Sequence, residues 1–205
     1  MAKEQSTEGS IPMIPPDQIT LGIVAGGRAT RLGGADKAWL QRGGIDQVTR
    51  WRDRFVGEVG AMLISANRQL ERCALAGLEP VPDRLAGNLG PLAGLHALAD
   101  ACRTPWLLTI PVDLVEIEPH LLAGLIGAAN VDGACARDDD GLQPLITLWR
   151  VAALRAAVDA ALAADELAVQ ALHRRLDIAQ VHFQGLRFGN LNTPADLSAA
   201  GFALE

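Results

Sequence analysis

The chain has 205 residues, 49% of them hydrophobic and only 20% charged, which suits one compact globular domain and excludes a disordered or fibrous chain. A formal net charge of −6 supplies no electrostatic drive toward nucleic acid or an anionic membrane, so an anionic ligand needs a local pocket of N–H groups and a few Arg or Lys side chains. No apolar run reaches bilayer length, because Gly, Asp or Arg interrupts each one, and residues 1–18 carry no signal-peptide run. These features imply a cytoplasmic protein with a loose tail at 1–18 and one domain over 19–205. Cys73, Cys102 and Cys135 lie far apart without a C-x-x-C pair and are expected to be reduced core thiols.

In chain order, short runs rich in β-branched or Leu residues predict strands at 19–25, 61–65, 78–82, 106–111, 133–136 and 144–149. Between them, 46–59, 91–102 and 119–129 read as helices, with Pro91 and Pro119 suited to a first helical turn. Nearly all-apolar strands are expected where helices cover both faces, and their alternation with Ala-rich helical patterns predicts a layered α/β fold with a mostly parallel sheet. Beyond Trp149, Ala, Leu and Val at helical spacing predict helices at 151–163 and 166–175, then a short strand around 180–183 and a last helix from Pro194. Such sheets bind ligands outside the carboxyl ends of their strands, which directs attention to the loops that follow strands.

The loop after the first strand, residues 24–37, reads Val-Ala-Gly-Gly-Arg-Ala-Thr-Arg-Leu-Gly-Gly-Ala-Asp-Lys and holds four glycines and three cationic side chains. Glycine lets successive N–H groups turn into a nest around phosphate oxygens, and Arg31 and Lys37 can neutralise the charge that dipoles alone cannot. The loop is neither a P-loop nor a G-x-G-x-x-G fingerprint. A flexible turn with exposed charges is the plainer reading, and the cations at these offsets favour a phosphate site over it.

Other strand ends carry polar groups with two readings each. Asn67, in Ser65-Ala66-Asn67-Arg68, is a polar turn or a ligand contact, and Asp83 is a turn cap or an acceptor for a base. Gly90-Pro91-Leu92-Ala93-Gly94 opens a helix shortly after Asp83. Asp113 ends an apolar strand, where a carboxylate caps the next segment or meets a magnesium ion among phosphate oxygens. Near the carboxyl end, Asn190 and Asn192 are spaced by two and would share a face on extended backbone, while Thr193 and Asp196 suit a helix start at Pro194. Asp138-Asp139-Asp140-Gly141 reads as a solvated turn, and His96, His120, His173 and His182 show no triad or zinc spacing.

Taken in order, these motifs resemble a known family. A-G-G-x-x-x-R-[LM]-G-G-x-D-K, present here from Ala25 to Lys37, is similar to the signature loop of molybdenum cofactor guanylyltransferases, and its looser form runs through nucleotidyltransferases of sugar phosphates. An Asp followed by G-P-L-A-G, a P-x-D turn, Gln143-Pro144-Leu145 and N-x-N-T-P-x-D-L extend the resemblance from about Ile19 to about Leu197. Two positions depart from the family pattern: Val115 stands where a proline is usual, and Ile45-Asp46 stands where Pro-Leu is usual.

The resemblance implies a three-layer α/β/α fold with a Rossmann-like sheet, and transfer of GMP from GTP to the terminal phosphate of molybdopterin with release of pyrophosphate. Its implied catalytic residues are Lys37, Arg31 and Asp113, with Asp113 the ligand of Mg2+. Nucleotide contacts fall on Ala25, Gly26, Gly27, Lys37, Asn67, Asp83, Gly90, Pro91, Leu92 and Asp113. Asn190 and Asn192 fall on the side of the pterin cofactor. Implied protein partners are molybdenum-insertion proteins and apo-molybdoenzymes, with no nucleic acid and no membrane. The rivals are a cytidylyltransferase of the same cofactor, whose loop more usually reads A-A-G, a non-catalytic module that binds GTP and delivers the cofactor, and a sugar-phosphate nucleotidyltransferase.

Overall fold

The computed structural model describes residues 14–25, 36–85 and 89–203. Its strands are β1 (Ile19–Val24), β2 (Gln41–Arg42), β3 (Ile45–Asp46), β4 (Ala61–Ser65), β5 (Glu79–Val81), β6 (Trp106–Pro111), β7 (Gly133–Asp138), β8 (Gly141–Arg150), β9 (Ile178–His182) and β10 (Phe202–Ala203). Its helices are α1 (Gln47–Phe55), α2 (Leu70–Leu75), α3 (Pro91–Ala101), α4 (Leu121–Ala128), α5 (Val151–Ala163), α6 (Val169–Arg175) and α7 (Pro194–Ala199). Among these described residues, no helix is long and apolar enough to cross a membrane.

Seven strands form one sheet in the order β5-β4-β1-β6-β8-β7-β9, parallel except where β8 pairs with β6 and β7. β1, Ile-Thr-Leu-Gly-Ile-Val, is buried along its whole length because it lies inside the sheet with helices over both faces. Ile19, Leu21, Ile23, Leu108 and Ile110 point into one core with Trp51, Phe55 and Leu125, while Leu63, Leu107 and Trp149 point into the other with Leu95, Leu98 and Leu154. That alternation puts α1 and α4 on one face and α3, α5 and α6 on the other, the three-layer arrangement expected. Each large apolar side chain buried this way contributes about 1.5–3 kcal/mol. Pro80 is accommodated in β5 because that strand is an edge.

Several expected boundaries move, for local reasons. The predicted helix 46–59 ends at Phe55, where Val56 turns extended with φ −56° and ψ 127°. Residues 166–168 stay outside α6 after Asp165 takes a left-handed φ of 57°. The expected strands at 133–136 and 144–149 are longer and form the β7–β8 hairpin around Asp139-Asp140. Asp138 corrects the solvated-turn reading, being only 1% exposed. Its carboxylate accepts from the N–H groups of Asp140, Gly141 and Phe188 and from the Gln143 amide. Within the segment expected to be a loose tail, residues 16–18 form a single helical turn and Ile14 packs against the core, while residues 1–13 lie outside the described residues. All three cysteines are free and buried, and burial pushes the Cys135 thiol up to about 11.

Candidate active site

Register fixes where the loops emerge. Val24 pairs with Ser65 on one side and Pro111 on the other, and Ser65 pairs with Val81, so four carboxyl ends lie in one row. The chain leaves β1 toward β4 and β5, then returns across it to β6, which places the topological switch point between β1 and β6. Lys37 follows β1 and Asp113 follows β6, so the fold brings both to that crevice.

The side chains meet there. Lys37 Nζ lies 2.8 Å from Asp113 Oδ2 and donates to Asn192 Oδ1, also at 2.8 Å. Lys37 opens a short helical turn, Lys37–Trp39, which Asp36 caps by accepting from the Ala38 N–H at 3.1 Å. The side chains of Lys37 and Asp113 are 21% and 22% exposed, so water screens the pair only in part.

Asn192 arrives on a strap from the carboxyl end. Leu114 and Asn190 form an antiparallel bridge, and Leu191 donates its N–H to the Asp113 carbonyl at 2.7 Å. The N–H groups of Val115 and Glu116 both reach the Phe188 carbonyl, at 3.1 and 3.2 Å. Val115 therefore donates a bond that a proline at that position lacks. Gly189 makes the contact close: at φ +63°, a Cβ on it would lie 3.0 Å from Val115 Cγ2. The expected shared face of Asn190 and Asn192 is corrected, because the Asn192 N–H bonds the Asn190 carbonyl and folds the backbone between them. It is the Asn192 side chain that reaches Lys37.

A second cluster sits one strand over. Asn67 Nδ2 donates to Asp83 Oδ2 at 2.8 Å, and the Asp83 N–H donates back to Asn67 Oδ1 at 2.9 Å. Ser65 Oγ lies 3.5 Å from Asp83 Oδ1 and directly beneath Gly94, where a Cβ would fall 2.6 Å from it, so α3 approaches the sheet as closely as a glycine permits. Gly90 precedes α3 with φ 58° and ψ −144°, and Pro91 begins it, exposed. Leu92 is fully buried in the core, so any contact it makes with a ligand falls to its backbone. Ala25 donates its N–H to the Ser65 carbonyl and so prolongs the sheet.

Arg31, Gly26 and Gly27 lie outside the described residues. Sequence reasoning missed Ser65 and Gln47, both fully buried polar residues beside these clusters. For Gln47 the signal was its place four and eight residues before Trp51 and Phe55, on the inward face of α1. As for a metal, the described residues hold no group of three or more His, Cys, Asp or Glu side chains able to take one. Yet an ammonium already rests between the hard oxygens of Asp113 and Asn192, a donor set that suits a magnesium ion finished by substrate phosphates.

This geometry defines the class: an α/β protein with polar side chains gathered outside the carboxyl ends of a mostly parallel sheet, the place where sheets of this kind bind their ligands. Residues 22–180 match the MobA-like NTP transferase domain, and the chain belongs to that family. It is similar to a protein of Cupriavidus necator named molybdenum cofactor guanylyltransferase, 34% identical over 194 residues that span 90% of this chain and 97% of that protein. A protein of the same name from Acidovorax ebreus is 38% identical over 159 residues, 71% of this chain and 75% of its own. Among solved structures, molybdopterin-guanine dinucleotide biosynthesis protein A from Archaeoglobus fulgidus shares the fold, with a TM-score of 0.66 and 18% identity over 89% of this chain and 96% of that one.

Proposed function

We propose that this protein transfers GMP from GTP to the terminal phosphate of molybdopterin, releasing pyrophosphate and forming the guanine dinucleotide cofactor. The observation that carries the reading is the meeting of Lys37, Asp113 and Asn192 at the switch point, within a chain 34% identical to a molybdenum cofactor guanylyltransferase over nearly its full length. The attacking group is a phosphate oxygen, already anionic at neutral pH, so the site needs alignment and charge neutralisation rather than a general base.

In this reading Asp113 and the Asn192 amide oxygen would hold Mg2+, which supplies charge neutralisation at the triphosphate. Lys37 and Arg31 bind phosphate oxygens, and Gly26 and Gly27 shape the N–H nest around them. Asp83, aligned by Asn67, accepts from the donor edge of guanine beside the Gly90 turn, which favours G over A. Asn190, on the same strap, would be the contact to the pterin phosphate, while Asn192 serves Lys37 and the metal.

A pyrophosphate-release assay with GTP, magnesium and molybdopterin, run beside CTP and ATP, tests the assignment. Turnover with GTP alone is expected, and Asp113→Asn should lower kcat by about a hundredfold or more while the protein stays folded. Preference for CTP would replace the guanylyl reading with a cytidylyl one. GTP binding without pyrophosphate release would point to a delivery module instead.

A further inference from the structure

Gln47 is the first residue of α1 and is fully buried, yet it carries a polar side chain into an apolar face. Each of its polar groups is engaged. Its backbone N–H donates to the Leu40 carbonyl at 2.9 Å, just past the turn that carries Lys37. Its Nε2 donates to the carbonyls of Val112 at 3.1 Å and Leu114 at 2.6 Å, the two residues that flank Asp113. Its Oε1 accepts from Arg50 Nη1 at 2.7 Å, which fixes the amide orientation, since a flipped amide would set its oxygen against two carbonyls and its NH2 against a guanidinium.

The Arg50 guanidinium is itself held, 4.9 Å from the Trp51 ring and 5.5 Å from the Phe202 ring. The Asp113 carbonyl, the one Gln47 does not take, accepts from Leu191. One residue thus ties the segment bearing Lys37, through its backbone N–H, to the turn bearing Asp113, through its side-chain amide, although Lys37 and Asp113 lie 76 positions apart in sequence.

We infer that Gln47 is a positioning residue of the transferase site, setting the distance between the Lys37 ammonium and the Asp113 carboxylate without touching substrate. The inference rests on the proposed function. A displacement of about 1 Å between two such groups costs a transfer reaction far more than it costs binding. Loss of the amide should therefore fall on kcat and on cation affinity, and spare KM.

The test compares Gln47→Glu, which keeps the shape and the Arg50 partner but sets a carboxylate against two carbonyls, with Gln47→Met, which keeps length and removes every polar group. Val158→Ala, a core substitution in α5 on the opposite face of the sheet, serves as a control for general destabilisation. For a folded Gln47 variant, kcat should fall about tenfold or more with KM for GTP within about threefold. Mn2+ affinity, titrated by electron paramagnetic resonance with GTP present and without turnover, should weaken about fivefold or more.

A Gln47 variant with kcat and Mn2+ affinity no worse than Val158→Ala would overturn the inference. So would failure of both Gln47 variants to fold, which would make the residue structural. Should the wild-type protein release no pyrophosphate, the proposed function fails instead, while the Mn2+ titration still reports on Gln47.

Discussion

Lys37 is held by two oxygens of different character, the Asp113 carboxylate and the Asn192 amide, each 2.8 Å from its Nζ. A part-exposed ion pair adds about 1 kcal/mol or less to stability, whereas an ammonium aligned on transferring phosphate is worth orders of magnitude in rate. Lys37→Met should therefore lower kcat/KM for GTP about a hundredfold while shifting unfolding free energy by about 1 kcal/mol or less. Steady-state kinetics beside a urea melt separates the two, and a large stability loss with modest kinetic loss would remove Lys37 from the catalytic role. Lys37 and Asp113 were legible in the sequence because each stands in a motif that follows an apolar strand, the glycine-and-cation loop and the P-x-D turn, and both motifs resemble those of a known family. Ser65 and Gln47 were not, because a polar residue's value inside a core depends on partners that sequence spacing does not reveal.

The β7–β8 hairpin shows the same limit one level up. Its Asp-Gly pair, Asp140-Gly141, was a hairpin signal between two strands, yet the run of three aspartates read as solvent-facing. Burial alone would raise the Asp138 pKa, but the N–H of Phe188, the Gln143 amide and the N–H groups of Asp140 and Gly141 together bring it below the ordinary carboxylate range. A lowered folded-state pKa means that the stabilisation is present above the unfolded value and disappears as pH falls through the folded one. Asp138→Asn presents an NH2 where an acceptor is required and should cost about 1–3 kcal/mol at pH 7. The gap from wild type should shrink as pH drops below about 4, as read by denaturant melts across pH. A gap that stays constant with pH would show that the carboxylate charge is not what matters. Among the helices, long periodic runs such as α3 and α5 were readable, whereas α2 and the two-residue strands β2, β3 and β10 are too short to carry a period.

Across the whole molecule, a sheet core laid down between residues 19 and 182 is completed by a strap from the carboxyl end. Leu191, Leu197 and Phe202 form a small separate core with Leu40, next to the turn that carries Lys37. Leu191→Ala should cost about 2–5 kcal/mol of strap stability. Amide exchange over 188–203 should then quicken far more than in β1 or β6, because the strap opens as its own unit. Equal acceleration in β1 and β6 would show instead that strap and sheet unfold together. The parallel sheet was foreseeable from alternating patterns, but the strap was not, since its partners lie on a loop rather than along a periodic element. The hydrogen bond from Lys37 to Asn192 joins residues 155 positions apart, so a growing polypeptide carries the lysine long before it carries the asparagine. At translation speeds of 5–20 residues per second, that interval is roughly 8–30 s, during which the lysine of a nascent chain has no amide partner from the strap.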